Sequence, residues 1–175
     1  MTADNTDEYL SPATVKEMID RSLQVAALDT NRKWVPNYIQ GHYPRFEKSL
    51  SLIPKASEHR SAILDVGTEG FMLDWFAKEL GYTTVAGTRY RPEGKPSLGK
   101  FSFYGQEYDV GNLNVEKERM PFDDASFDVV TCFEVIEHFT SDPMFFFLQA
   151  GRVLKPGGLL IMSTPNAASY EALLK

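Results

Sequence analysis

Several features are scarce in this chain of 175 residues. It has one cysteine, Cys132, which excludes an internal disulfide and is typical of proteins from a reducing compartment. No apolar run approaches the roughly 20 residues that a membrane-spanning helix needs. A net charge of −6 argues against general binding to nucleic acid or to membrane surfaces. We therefore expect a cytoplasmic protein that binds neither, and the sequence indicates no metal site.

The chain does contain enough apolar residues to form a buried core, since hydrophobic residues make up 43% of it. Residues 1–60 predict a helical extension, with helices over about 12–28 and 44–53 and an irregular aromatic stretch over 30–43 between them. Residues 61–175 predict an α/β domain in which strands alternate with helices. The strands are predicted at 62–66, 82–87, 101–104, 127–132 and 159–163. Because these strands are almost continuously apolar, they favour a parallel sheet covered on both faces.

The turn after the first predicted strand indicates a ligand site. Asp65 ends an apolar segment, Gly67 and Gly70 follow, and apolar residues at helical spacing predict a helix over 70–80. Glycine is needed where φ is positive or where a ligand approaches the backbone, and the first N–H groups of a helix attract anions. Ligands of open α/β sheets bind at this carboxyl edge. The turn therefore predicts a site for a nucleotide-like ligand.

Further segments follow in a fixed order. They are Met120–Ser126 before the fourth predicted strand, Phe133–Phe139 after it, Arg152–Gly158 before the fifth, and Thr164–Asn166 behind that strand. Together with the glycine turn, this set resembles the class I S-adenosylmethionine (SAM)-dependent methyltransferases, in particular bacterial members, over about residues 62–166. The resemblance implies a doubly wound, mainly parallel, Rossmann-like sheet. The chain ends before the last two strands of that fold, so we expect an open sheet edge, at which a homo-oligomer could form.

The resemblance also implies which residues bind SAM. Asp65, Gly67 and Gly70 would hold its methionyl end, and Asn114 and Val115 would contact the edge of the adenine. The full set of expected cofactor-binding residues is Asp65, Val66, Gly67, Gly70, Arg89, Asn114, Val115, Phe133 and Glu134.

The expected chemistry is methyl transfer to an oxygen atom of a small molecule or a glycan. A hydroxyl acceptor loses its proton during transfer, so a base must lie near the methyl group. Glu134, Glu137 and His138 are ionisable groups at the expected edge, and imidazole is suited to proton transfer near neutral pH. We predict His138 as the base and Glu137 as its orienting partner or substitute. The glycan alternative rests only on the likeness to bacterial enzymes of that kind.

Two residues depart from the family pattern. Glu69 stands in the glycine turn, where a carboxylate would face the SAM carboxylate unless it turned outward. Arg89 stands where the family usually has an acid that holds the ribose hydroxyls, and arginine cannot accept hydrogen bonds. These departures favour an alternative in which the domain has lost SAM binding and serves as an interaction or regulatory module. A second alternative is an NAD(P)-type Rossmann domain, although its Gly-x-Gly-x-x-Gly spacing is absent.

Overall fold

A computed structural model describes residues 8–27, 33–92 and 95–166. Contacts divide the chain into two units, Met1–Lys55 and Ala56–Lys175. The first unit contains the helices α1 (Pro12–Ala27), α2 (Trp34–Gly41) and α3 (Tyr43–Leu50). The prediction of an irregular stretch over 30–43 is therefore wrong for α2, whose Val35 and Ile39 are buried one turn apart as in an amphipathic helix. No helix in the described ranges is long and apolar enough to cross a membrane.

The second unit is an α/β domain with a six-stranded sheet in the order β3-β4-β2-β1-β5-β6. Its elements are β1 (Ala62–Val66), α4 (Phe71–Lys78), β2 (Thr84–Arg89), β3 (Ser97–Phe103), β4 (Gln106–Asn112), β5 (Phe127–Phe133), α5 (Pro143–Val153) and β6 (Leu154–Ser163). Every neighbouring pair is parallel except β3 and β4. The predicted mainly parallel, doubly wound sheet is confirmed.

The strands β3 and β4 form a hairpin that the sequence pattern did not predict. The segment 101–104 was expected to be a parallel strand followed by a polar loop; instead β3 is an antiparallel edge strand, and β4 occupies part of the expected loop. Tyr104 and Gly105 both have positive φ, 44° and 78°, as in the tight turns that suit a two-residue hairpin. Because β3 returns the chain to the amino edge of the sheet, no helix is needed between the parallel strands β2 and β4.

The helices α4 and α5 cover opposite faces of the sheet. Each belongs to a crossover between parallel strands, and the two crossovers step in opposite directions from the centre, so right-handed connections put their helices on opposite sides. On the α5 side, Phe146, Ala150 and Val153 pack against Leu64 and Val130. This winding leaves the carboxyl ends of β1, β2 and β5 side by side.

The strand β6 begins earlier than predicted, at Leu154 instead of residue 159. Its pairing with β5 shifts register between Phe127 and Val129, because the additional residues around Pro156 bulge out of the ladder. Within the described residues, β6 forms one edge of the sheet. A homo-oligomer through this edge stays a prediction.

Candidate cofactor and acceptor site

The turn from Gly67 to Gly70 has the backbone conformation that its glycines predict. The φ angles of Gly67 and Gly70 are +78° and +87°, in the region that side chains rarely adopt. Space is also restricted, because a Cβ on Gly67 would lie 2.5 Å from Cγ2 of Val135, and one on Gly70 would lie 2.6 Å from Cε1 of Phe101. The requirement for glycine at both positions is confirmed.

Asp65 lies inside the sheet behind this turn. Its side chain accepts a hydrogen bond of 2.7 Å from the Thr131 hydroxyl on the neighbouring strand β5, and the residue is only 3% exposed. Burial raises the pKa of Asp65 to about 6, although hydrogen bonds from Thr131 and Thr68 oppose the rise and the charge of Glu69 adds to it. Because Thr68 also accepts a bond from the Gly70 N–H, Asp65 connects β5 to the turn.

The end of β5 meets the turn directly. Val66 on β1 pairs with Cys132 on β5, so Phe133 and Glu134 follow at the level of Gly67. Glu134 has a φ of +56°, which is uncommon for a residue with a side chain. Its carboxylate accepts a hydrogen bond of 2.7 Å from Ser163 at the end of β6.

The two predicted catalytic residues lie in a short 3₁₀ turn, Ile136–His138, just beyond this point. The side chain of His138 is 78% exposed, and its Nε2 lies 4.0 Å from Oε1 of Glu137. The other carboxylate oxygen of Glu137 accepts a hydrogen bond of 3.4 Å from Thr164. An accessible imidazole beside an anchored carboxylate can take up a proton from a bound hydroxyl.

Asn114 and Val115 follow the end of β4 at the same edge of the sheet. The Asn114 side chain accepts a bond of 3.0 Å from the Glu116 N–H, and the backbone N–H of Asn114 donates to the Glu118 carboxylate over 2.7 Å. Val115 packs into the core and is 9% exposed. These contacts fix the loop conformation, and the expected contact with an adenine stays a prediction.

Arg89 and Glu69, the two departures from the family pattern, lie next to each other. Arg89 is the last residue of β2, and its Nη2 is 3.8 Å from Oε2 of Glu69. The Arg89 guanidinium also lies over the ring of Phe101, 4.8 Å from its centroid. From the sequence, Glu69 was expected to face the SAM carboxylate unfavourably, and no role was predicted for Phe101. An alternating segment before Tyr104-Gly105 was the available signal for the hairpin that carries Phe101.

Comparisons with known proteins agree with this fold. The model of a methyltransferase domain family matches residues 64–162. A Mycolicibacterium smegmatis protein named as a probable S-adenosylmethionine-dependent methyltransferase is 47% identical over 61 residues, which are 35% of this chain and 22% of that protein. A ubiquinone biosynthesis O-methyltransferase from Dechloromonas aromatica is 34% identical over 107 residues, 59% of this chain and 44% of the relative.

This chain thus spans less than half the length of these relatives. Among solved structures, a chain from the complex between the Haloferax volcanii Trm112 methyltransferase activator and a methyltransferase has the same fold, with a TM-score of 0.55 and 21% identity. The alignment covers 81% of this chain and 59% of that one. The family model includes both the glycine turn and the segment after β5, in the order that the fold requires. The chain therefore belongs to the class I SAM-dependent methyltransferases.

Proposed function

We propose that this chain transfers the methyl group of SAM to an oxygen atom of a small molecule or a glycan. The observation that carries the proposal is the contact between the glycine turn and the segment after β5, since Val135 lies against Gly67. This contact brings a cofactor-binding turn and the ionisable groups Glu134, Glu137 and His138 to one sheet edge. Relatives named as O-methyltransferases support oxygen as the methylated atom.

The residues at the turn fit the methionyl end of SAM. No side chain caps the N-terminus of α4, as far as the described residues extend, so its first N–H groups can bind a carboxylate. Glu69, which would repel that carboxylate, is directed towards Arg89. When bound, SAM supplies an electrophilic methyl group on sulfur. Asp65, Gly67 and Gly70 would hold its methionyl end, and Asn114 and Val115 would hold the adenine.

The protein's own contribution is to orient the acceptor and to remove its proton. His138 accepts that proton, and Glu137 orients the imidazole. Thr164 holds the second oxygen of Glu137. Methyl transfer from SAM needs little covalent help from the protein. The remaining rate acceleration therefore comes from the alignment of the acceptor with the methyl group.

His138→Ala tests the role of the base. We expect turnover of a phenolic or oligosaccharide acceptor, followed with methyl-labelled SAM, to fall about 10²- to 10⁴-fold while SAM affinity changes by no more than a few-fold. His59→Ala is the matched control, because His59 is an exposed histidine in the turn before β1. Full turnover by the His138 variant would eliminate this role. A wild type that neither binds SAM nor methylates any acceptor would instead favour the interaction module.

A further inference from the structure

The pair formed by Glu69 and Arg89 lies at the mouth of the crevice between β1 and β2. Glu69 belongs to the turn after β1, and Arg89 ends β2, which is paired in parallel with β1. The side chains are 44% and 39% exposed, so a ligand can reach both. In an open α/β sheet, the ligand lies beyond these strand ends.

The position of Glu69 is fixed by bonds between the turn and β2. The backbone N–H groups of Gly67 and Thr68 both donate to the carbonyl of Thr88, over 3.0 and 2.8 Å. The Thr68 side chain covers Gly87, where an added Cβ would be only 2.6 Å from Cγ2 of Thr68. The next residue, Glu69, is therefore held beside the end of β2.

Arg89 is oriented by two neighbours. Its guanidinium lies over the Phe101 ring and within 3.8 Å of Glu69. The face of the Phe101 ring and the facing carboxylate both attract the guanidinium and hold it on one side of the crevice. Partial burial raises the pKa of Glu69, and the charge of Arg89 lowers it. Arg89 thus favours an ionised carboxylate at this position.

We propose that Glu69, positioned by Arg89, supplies the carboxylate that accepts hydrogen bonds from the ribose hydroxyls of SAM. This assignment rests on the proposed function, since it concerns the same cofactor. A vicinal diol offers two O–H donors, and an ionised carboxylate offers two acceptor oxygens. Arginine accepts no hydrogen bond, so Arg89 cannot take this role itself. The acceptor then comes from the turn after β1 and not from the end of β2.

The test measures binding of S-adenosylhomocysteine, the demethylated product of SAM, and of its 2′-deoxy analogue by calorimetry. Glu69→Gln should weaken binding of S-adenosylhomocysteine about 10- to 100-fold, the effect of a lost hydrogen bond to a charged group. It should also remove most of the wild-type preference for the ribose form over the deoxy form. The control is Glu107→Gln, a surface carboxylate on β4 near the opposite edge of the sheet, which should leave both affinities unchanged.

Arg89→Met separates positioning from contact. We expect weaker binding that retains a preference for the ribose form. Because the positive charge of Arg89 is lost, the pKa of Glu69 should rise. As the pH is lowered, binding of S-adenosylhomocysteine should therefore begin to weaken at a higher pH than in the wild type. Thermal unfolding of each variant checks that the fold is intact.

Three results would overturn the assignment. One is wild-type affinity in Glu69→Gln, a second is an undiminished ribose preference in that variant, and a third is tighter binding in Arg89→Met. In each of these cases the wild type still binds S-adenosylhomocysteine, so the proposed function survives. A wild type that does not bind it would overturn the proposed function, and the assignment of Glu69 with it.

Discussion

Replacement of Asp65 by asparagine should make the domain more stable at neutral pH. Asp65 is 3% exposed, and its carboxylate accepts hydrogen bonds from the hydroxyls of Thr68 and of Thr131, the latter at 2.7 Å. Asparagine keeps an oxygen that can accept the bond from Thr131 but carries no charge. The substitution therefore removes the cost of burying a carboxylate while it preserves the contact between β1 and β5.

The magnitude follows from the pKa. Burial raises the pKa of Asp65 from 3.8 to about 6. Between these values the folded protein holds a proton that the unfolded chain has lost, so stability falls as the pH rises, and the loss is complete above about pH 6. The shift corresponds to roughly 3 kcal/mol. The Asp65→Asn variant should gain up to about this amount at pH 7.5 and almost nothing near pH 4.

Urea unfolding, without cofactor, measures this difference. The chain has two tryptophans, and Trp34→Phe leaves Trp75, which is 2% exposed on α4, as the reporter of the second unit. The unfolding free energy of Trp34→Phe is subtracted from that of the double variant Trp34→Phe/Asp65→Asn. This difference is compared near pH 4 and at pH 7.5. A difference that does not change with pH would refute the reasoning. So would a variant that is less stable at pH 7.5.

Two other substitutions probe the site and its support. Gly87→Ala should weaken binding of S-adenosylhomocysteine at least about 10-fold, because its Cβ would meet the Thr68 side chain and displace the turn. Gly99→Ala, where nothing lies within 4 Å, is the control, and equal affinities would contradict the explanation. Asp128→Asn should cost about 2 kcal/mol at pH 7, because Asp128 accepts bonds from Lys155 and from the N–H groups of Ser61 and Ala62 at the start of β1. Since these bonds lower the pKa of Asp128, the cost in urea unfolding should begin to shrink as the pH falls below about 4 and should disappear once Asp128 is protonated in the folded state; a cost that persists there would exclude an ionic origin.

Local sequence patterns alone were sufficient to predict much of the secondary structure of the second unit. The apolar segments 62–66 and 127–132 and the glycines of the first turn correspond to β1, β5 and a turn with positive φ at Gly67 and Gly70. Asp142 caps α5 through a neighbour two residues away, since its side chain accepts a bond from the Met144 N–H. These features depend on residues close in sequence, so periodicity and capping are enough to predict them.

The hairpin β3–β4 was missed for the opposite reason. Strand β3 is largely exposed, so it has little of the apolar pattern that marks β1 and β5. The turn that pairs it with β4 contains Tyr104 at positive φ, which a residue with a side chain rarely adopts. The hairpin brings Phe101 next to Gly70 and Arg89, so this contact could not be predicted either.

The sequence by itself determined the family, the strand that contains Asp65 and the glycines of the turn, because each is encoded within a few neighbouring residues. It also identified Glu69 and Arg89 as departures from the family pattern. Only the tertiary structure decided that these two side chains face each other, since they are brought together by strand pairing across 20 residues of chain. A contact of this kind depends on which strands are neighbours and in which register, and neither is a property of the local sequence.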